Sequence, residues 1–348
     1  MKIMVGMHHP KHFWMFKNLI LAGQKKGWEF IILVSKKDVL EELLQTSGLK
    51  YYIIGKNQPT MFKKIIELLK YTYYTYKYSK EFNPDVYISQ ALLHFGLIST
   101  IRRSFYFIFE DTEYVPILHK LTIPLCTNVI TPKCFKKNFG RKHIYLNGLF
   151  EVSYLHPNYF SPNPEVLKKL GVGKGEKFVI MRFVSWNASH DIGQKGLTLE
   201  IKINAIKEIS KYAKVFITSE STIPIELERY RINIPSEMIH GVLYYANLYY
   251  GESPTMTTES AILGTPAICI SSWAYDLGNI IELKNLGLIQ CFKTDDEDIA
   301  LQKALDWLMN KNIKQEWQRR LNKMDVKKID VTARMVKFLE EFFQDSEQ

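Results

Sequence analysis

The sequence predicts an α/β protein built from two doubly wound, Rossmann-like domains that face a cleft. Three observations predict it. Short β-rich runs alternate with helical patterns through the first half, a stretch rich in proline and asparagine interrupts them, and the alternation then restarts.

In chain order, the β-rich runs are residues 3–7, 29–34, 51–54, 85–89, 105–109 and 128–130. The clearest helices between them cover 13–26, stopped by Gly27, and 39–46, stopped by Gly48, because glycine tolerates the left-handed turn that closes a helix. Such alternation implies a mostly parallel sheet covered on both faces. The break is HPNYFSPNPEV at 156–166, with three prolines and two asparagines, and it reads as an interdomain linker. The second half places strands at 178–183, 214–218, just before Gly251, 267–270 and 288–292, with helices near 197–211 and 237–246 and helical patterns to about Phe343. The expected division is 1–160, 161–330 and a final helix from 331 that packs back on the N-terminal domain.

At 348 residues, 46% hydrophobic and 13% aromatic, the chain has enough apolar surface for packed cores, which excludes disorder for most of it. Its formal charge of +10 suits an anionic partner, yet the charge is spread out and no nucleic-acid motif accompanies it, so nucleic acid is not expected. Cys126, Cys134, Cys269 and Cys291 form no close-spaced chelating pair and read as free thiols. The chain enters a strand at once, without the pattern of a signal peptide, and no apolar run approaches a membrane span. A cytoplasmic protein is expected, with peripheral membrane contact an open possibility.

In open α/β sheets ligands bind beyond the carboxyl ends of the strands, which directs attention to four polar loops. The most informative is GESPTMTTESAILGTPAI at 251–268, a strand end, a polar turn, a short helix and another strand. Ser253, Thr255, Thr257 and Thr258 bring hydroxyls to a helix start whose free N–H groups and dipole favour phosphate. Glu259, about one turn in, is placed to accept hydrogen bonds from a ribose diol. A plain helix capped by its threonines would use the same residues.

The first loop, HHPKH, sets His8, His9, Lys11 and His12 between a strand and a helix, where they could hold phosphate, act as a base, or lie in a solvated turn. Metal is disfavoured because no carboxylate or cysteine nearby completes a ligand set. In EDTEY, Glu110, Asp111 and Glu113 crowd like charges at a strand end. That favours a proton on one of them, and Glu110 and Asp111 lead for acid–base work; capping the next helix is the structural alternative. The loop at 182–196 offers Arg182 and Lys195 as anion ligands, Trp186 and Asn187 to stack on and bond a base or sugar, and His190 beside Asp191 as an oriented imidazole. His240 reads as a satisfied histidine, and the acids at 294–298 as a helix start. The tyrosine- and lysine-rich stretch 63–80 fits either a solvated helix, the simpler account, or a helix lying on a membrane and presenting a lipid-linked acceptor.

Four such loops on two Rossmann-like halves resemble the GT-B superfamily, which holds sugar-nucleotide glycosyltransferases and non-hydrolysing UDP-N-acetylglucosamine 2-epimerases. More closely, the chain resembles the uncharacterised "domain of unknown function 354" family (DUF354), through HHPKH with FKNLI, DTEY, YLHPNYF, RFVSWNASHDIGQKG and ESPTMTTESAILGTPAI. The GT-B resemblance implies a C-terminal domain that holds the nucleotide, with the 253–258 turn on the diphosphate and Glu259 on the ribose. It also implies acceptor or sugar chemistry at the N-terminal loops and catalysis without metal or cofactor, the nucleotide sugar being substrate. The epimerase pattern has gaps here: Gln90-Ala91 stands where an aspartate is expected, paired glutamates are missing from 114–120, and His190 is only a loose counterpart of the epimerase histidine. The resulting expectation is a GT-B-like glycosyltransferase using a UDP-sugar for a surface polysaccharide or glycoconjugate, with Glu110, Asp111, His9 and His190 as candidate catalytic residues. A sugar-nucleotide epimerase and a non-catalytic nucleotide-sugar-binding protein are the alternatives.

Overall fold

The computed structural model describes residues 1–37, 39–56, 58, 60–183, 196–219, 222–272 and 275–346. The chain divides into two compact units, Met1–Tyr159 with Ile329–Gln348, and Phe160–Lys328.

The first unit contains β1 (Lys2–Met7), α1 (Pro10–Lys25), β2 (Glu29–Lys36), α2 (Leu40–Ser47), β3 (Tyr51–Lys56), α3 (Met61–Phe82), β4 (Val86–Ser89), α4 (Leu93–Arg102), β5 (Phe105–Phe109), α5 (Pro116–Thr122), β6 (Asn128–Pro132), β7 (His143–Leu146) and α6 (Val152–Leu155). The second contains α7 (Glu165–Lys169), β8 (Phe178–Phe183), α8 (Leu199–Ile209), β9 (Lys214–Ser219), α9 (Ile239–Tyr245), β10 (Leu248–Gly251), α10 (Pro254–Ile262), β11 (Ala267–Ile270), α11 (Gly278–Asn285), β12 (Ile289–Phe292), α12 (Glu297–Met309) and α13 (Ile313–Asn322). The last helix, α14 (Val331–Ser346), returns to the first unit and packs on α1 and α6.

Both sheets are parallel. The first runs β3-β2-β1-β4-β5-β6-β7 and the second β12-β11-β10-β8-β9. In each, the chain leaves the sheet in one direction and resumes on the other side of its first strand. That reversal opens a crevice at the strand ends, between β1 and β4 in the first unit and between β8 and β10 in the second.

The period of two in β5 shows how the layers form. Phe105, Phe107 and Phe109 face α14, where Phe338 and Phe342 meet them edge-on, while Tyr106 and Ile108 join the opposite core with Met4, Leu33, Tyr87 and Phe95. Tyr71, Tyr74 and Tyr78 of α3 pack against that same core, so half of the tyrosine-rich stretch is a packing face rather than a solvated one.

Three short elements escaped the sequence reading. Strand β7 is a four-residue edge strand, and α6 and α7 are short turns near proline and asparagine, all too short for a periodic signal. The stretch read as a linker, 156–166, therefore already contains the start of α7. The helix expected at 237–246 opens as a 3-10 turn, Ser236–Met238, and Glu297 and Asp298 form the acidic first turn of α12. All four cysteines are free thiols. Among the described residues no helix is long and apolar enough to cross a membrane.

Candidate functional site

At the crevice of the first unit, the loop after β1 meets the residues that follow β4 and β5. His9 caps α1, its Nδ1 accepting from the Lys11 N–H at 3.1 Å. A neutral His9 must therefore carry its hydrogen on Nε2, as a donor, and taking a proton at Nδ1 would break the cap. His12 Nδ1 likewise accepts from the His8 N–H at 3.1 Å, so its Nε2–H donates to Gln90 Oε1 at 2.7 Å. The Gln90 amide then donates to Asp111 Oδ1 at 2.9 Å, and Asp111 pairs with the Lys11 ammonium, which also lies 3.3 Å from Glu151. One connected chain thus joins the ends of β1, β4 and β5 to the start of α6.

The electrostatics follow from burial. His12 is pushed down to about 4 because it is desolvated, and the Gln90 bond and the Asp111 charge only partly offset this. His94 falls to about 3 for the same reason, and His8, stacked on it at 5.1 Å, is lowered well below its usual value by burial and by its two histidine neighbours. Burial alone would discharge Lys11, but Asp111 and Glu151 outweigh it and hold the ammonium well above the ordinary lysine range.

The like-charge crowding expected of EDTEY is relieved in the fold, because each carboxylate has a partner of its own. Glu110 accepts from the N–H groups of Asp111 and Thr112 at 3.0 and 2.9 Å and stands 3.3 Å from His119 Nε2. It is buried and clamps its own loop. The loop does not cap α5, whose N-cap, Val115, has no side-chain bond. Glu113 is buried too, and its carboxylate accepts from the Lys136 N–H at 3.4 Å.

In the second unit the crevice is framed by Arg182, the last residue but one of β8, and by the turn after β10. Gly251 pairs directly with Arg182, and a Cβ on it would lie 2.4 Å from the Arg182 carbonyl oxygen, so only glycine permits this approach. Ser253 caps α10, its hydroxyl accepting from the Met256 N–H at 3.4 Å, and Pro254 takes the first helical position. Ser253 and Thr255 are half-buried and remain at the helix start.

Thr257 and Thr258 do not serve there. Both are wholly buried: the Thr257 hydroxyl donates to the Ser253 carbonyl at 2.9 Å, and that of Thr258 accepts from Asn279 at 3.2 Å. The helix turns these side chains into the protein. Glu259 is buried as well, its Oε1 3.1 Å from Nε2 of His240, itself buried. Gly264, in the left-handed conformation at φ +76°, closes α10 with the bond from the Thr265 N–H to the Ser260 carbonyl. Trp186, Asn187, His190, Asp191 and Lys195 lie outside the described residues.

The profile of the family described as a protein of unknown function (DUF354) matches residues 1–340. The chain belongs to the DUF354 family. It is 26% identical over 276 residues to an uncharacterised protein of Methanocaldococcus jannaschii, covering 76% of this chain and 80% of that one. Among solved structures, the UDP-GlcNAc 2-epimerase of Neisseria meningitidis bound to UDP-GlcNAc superposes with a TM-score of 0.72 at 11% identity, over 98% of this chain and 100% of that one. The spinosyn rhamnosyltransferase SpnG complexed with thymidine diphosphate gives 0.64 at 13%, with 98% and 100% covered. At such identities the likeness is one of fold, the two-domain GT-B fold.

This DUF354 chain also carries residues that the loop reading passed over. Glu151 completes the Lys11 cluster, and its signal was a carboxylate inside the apolar run LFEVSYL. Lys202 falls at the spacing of the core face of α8, with Ala205, Ile206 and Ile209, and its ammonium lies 3.2 Å from Glu252 with both side chains buried. Burial pulls the Lys202 ammonium below the usual lysine value despite that partner. Glu252 also accepts from the Leu197 N–H at 2.7 Å, so the residue before the α10 cap pins the start of α8.

Proposed function

We propose that this protein is a glycosyltransferase of the GT-B type that binds a nucleotide sugar, of the UDP class, through the start of α10 and passes the sugar to an acceptor. The observation that carries this reading is the α10 turn: a glycine that admits close backbone approach, a capping serine, a half-buried threonine, and a carboxylate one turn in whose orientation is held by a buried histidine. Ser253, Thr255 and Arg182 would face the diphosphate, and Glu259 the ribose diol. Asp111 is assigned the acceptor proton, because it is the carboxylate joined both to a cation and to the His12–Gln90 chain, whereas Glu110 is consumed by its own loop.

A panel of UDP, dTDP, GDP and CMP compounds and their sugars tests the donor site by thermal shift. A ligand at about 100 times its dissociation constant adds about 2.7 kcal/mol. One nucleotide class should raise the melting temperature. Glu259→Gln, which keeps an acceptor for His240, should abolish the part of that rise owed to the ribose. Equal shifts for wild type and variant would sink the ribose role. Asp111→Asn leaves Lys11 its partner Glu151, and it should lower transfer turnover by about 10²- to 10⁴-fold while nucleotide binding persists.

An epimerase is the second reading, favoured by the full-length fold likeness to the Neisseria enzyme. Against it, the residue after β4 is Gln90, an amide already committed to His12 and Asp111. Conversion of UDP-GlcNAc to its C2 epimer in the absence of any acceptor would decide for that reading. A nucleotide shift with neither transfer nor epimerisation would leave a binding protein.

A further inference from the structure

We infer that the outward face of α3 is a docking surface for a bilayer containing anionic phospholipid. The helix has two opposed apolar faces. One, with Tyr71, Tyr74 and Tyr78, packs on the core of the first unit. The other consists of Phe62, Ile65, Ile66, Leu69, Tyr73 and Tyr76, and it is open to solvent: Phe62 is 72% exposed, Leu69 67% and Tyr73 62%.

At 3.6 residues per turn these six side chains fall in one stripe about 100° wide, centred opposite the packed face. Isolated exposed leucines need no explanation, but a stripe along a helix of 22 residues does. Unpartnered, it would leave a long apolar ridge in water, at a cost that a soluble surface ordinarily avoids. The neighbouring helices add to it, since α4 packs beside α3 and α5 beside α4, and these expose Ile101 and Ile117.

Charge decides what covers the ridge. Lys63, Lys70 and Lys77 follow one another along a single flank of the stripe, Lys80 closes its C-terminal end, and Lys64 adds a fifth cation near the helix start. Of the two acids on α3, Glu67 is turned inward, its carboxylate accepting from the Lys56 N–H at 2.8 Å, which leaves Glu81 as the exposed one. From Tyr114 to Phe150 the sequence contains no Asp or Glu at all, so no acidic patch from that segment neutralises the row. An apolar stripe bordered by lysines, with tyrosines at its edge, matches an interfacial helix lying in the plane of an anionic leaflet: the apolar side chains enter the acyl boundary, the tyrosines sit at headgroup level and the ammonium groups meet lipid phosphates. This inference is independent of the reaction proposed above.

Co-sedimentation of the full chain with lipid vesicles tests it. The protein should pellet with phosphatidylcholine vesicles that carry phosphatidylglycerol and stay in solution with phosphatidylcholine alone. Replacing Lys70, Lys77 and Lys80 together by Ser should weaken the partition by about a hundredfold, at the usual worth of a lysine near an anionic surface. Ile66→Glu with Leu69→Glu should abolish it. Ile66 and Leu69 are exposed, and the one ion pair touched, Lys70 with Glu67 at 3.7 Å, is of the weak i,i+3 kind, so each variant should keep a melting curve close to that of wild type. Wild-type protein that ignores anionic vesicles, or variants that bind as well as wild type, would overturn the inference. So would a Leu69→Glu variant that turns a dimer into a monomer without changing vesicle binding, since the face would then belong to a second copy of the chain.

Discussion

Acidification from about pH 7 to about pH 5 is expected to remove a large part of the stability of the first unit, before its carboxylates begin to take up protons. His8, His12 and His94 are all held neutral by burial, with His12 pushed down to about 4 and His94 to about 3. The groups that face them are few. His12 meets Gln90, Asp111, Lys11, Lys37 and His9, and His8 meets His94, Tyr71 and His12. Each histidine titrates near 6.5 when unfolded, so below that pH the unfolded chain binds protons that the folded chain refuses. Stability is full above the unfolded value and falls as pH drops toward the folded ones, by about 1.4 kcal/mol per pH unit for each group. Three together approach about 4 kcal/mol per unit, against a total of about 5–15 kcal/mol for an ordinary domain. Hydrogen exchange of the β1 and β4 amides across this range would read the loss unit by unit. His94→Gln, which retains a partner for Thr75, should reduce the slope by about a third. Stability that stays level down to pH 5 would show that these imidazoles are not protected as the packing implies.

Substituting Lys11 by methionine should be the most damaging single change in the same unit, at about 3–5 kcal/mol. The ammonium is nearly enclosed and serves Asp111 and Glu151 together, so its removal takes a shared cation from two buried carboxylates. For a unit of this size the loss corresponds to a fall in melting temperature of about 10 °C. Calorimetry at neutral pH would register it. The deficit should narrow on acidification, as the carboxylates that lost the ammonium accept protons. Lys11→Met combined with Glu151→Gln should recover part of it, because one of the stranded charges is gone. A loss below about 1 kcal/mol would mean that water replaces the ammonium and that the cluster is less closed than its exposure indicates.

The elements that were legible in the sequence are those whose own residues state their environment. FYFIF, FVIM and AICI are buried on both faces of a parallel sheet and read as unbroken apolar runs, and Gly264-Thr265-Pro266 marks the end of α10 by local backbone chemistry alone. HIYL did not read as a strand because an edge strand needs no such run. The same boundary runs through the candidate site. The loops after β1, β5, β8 and β10 were visible as polar segments following core strands, and Asp111, Ser253, Thr255 and Glu259 were named there.

Which of those side chains turn inward was not visible. Thr257 and Thr258 carry the right hydroxyls at the right helix end, yet packing of α10 against β10 and α11 rotates them into the interior. Glu110 and Asp111 are adjacent and chemically alike, and only the loop's return onto its own N–H groups separates the clamp from the carboxylate that meets Lys11. His12 and Gln90 are 78 residues apart, and His240 and Glu259 are 19 apart on different helices. By itself the sequence determined the core strands, the helix stops and the chemistry available at each loop, because these depend on local conformational preference and on apolar periodicity. Only the tertiary structure decided the strand order, and with it which loops share a crevice and which polar groups pair there, since that order is set by burial between distant segments, which no local preference encodes.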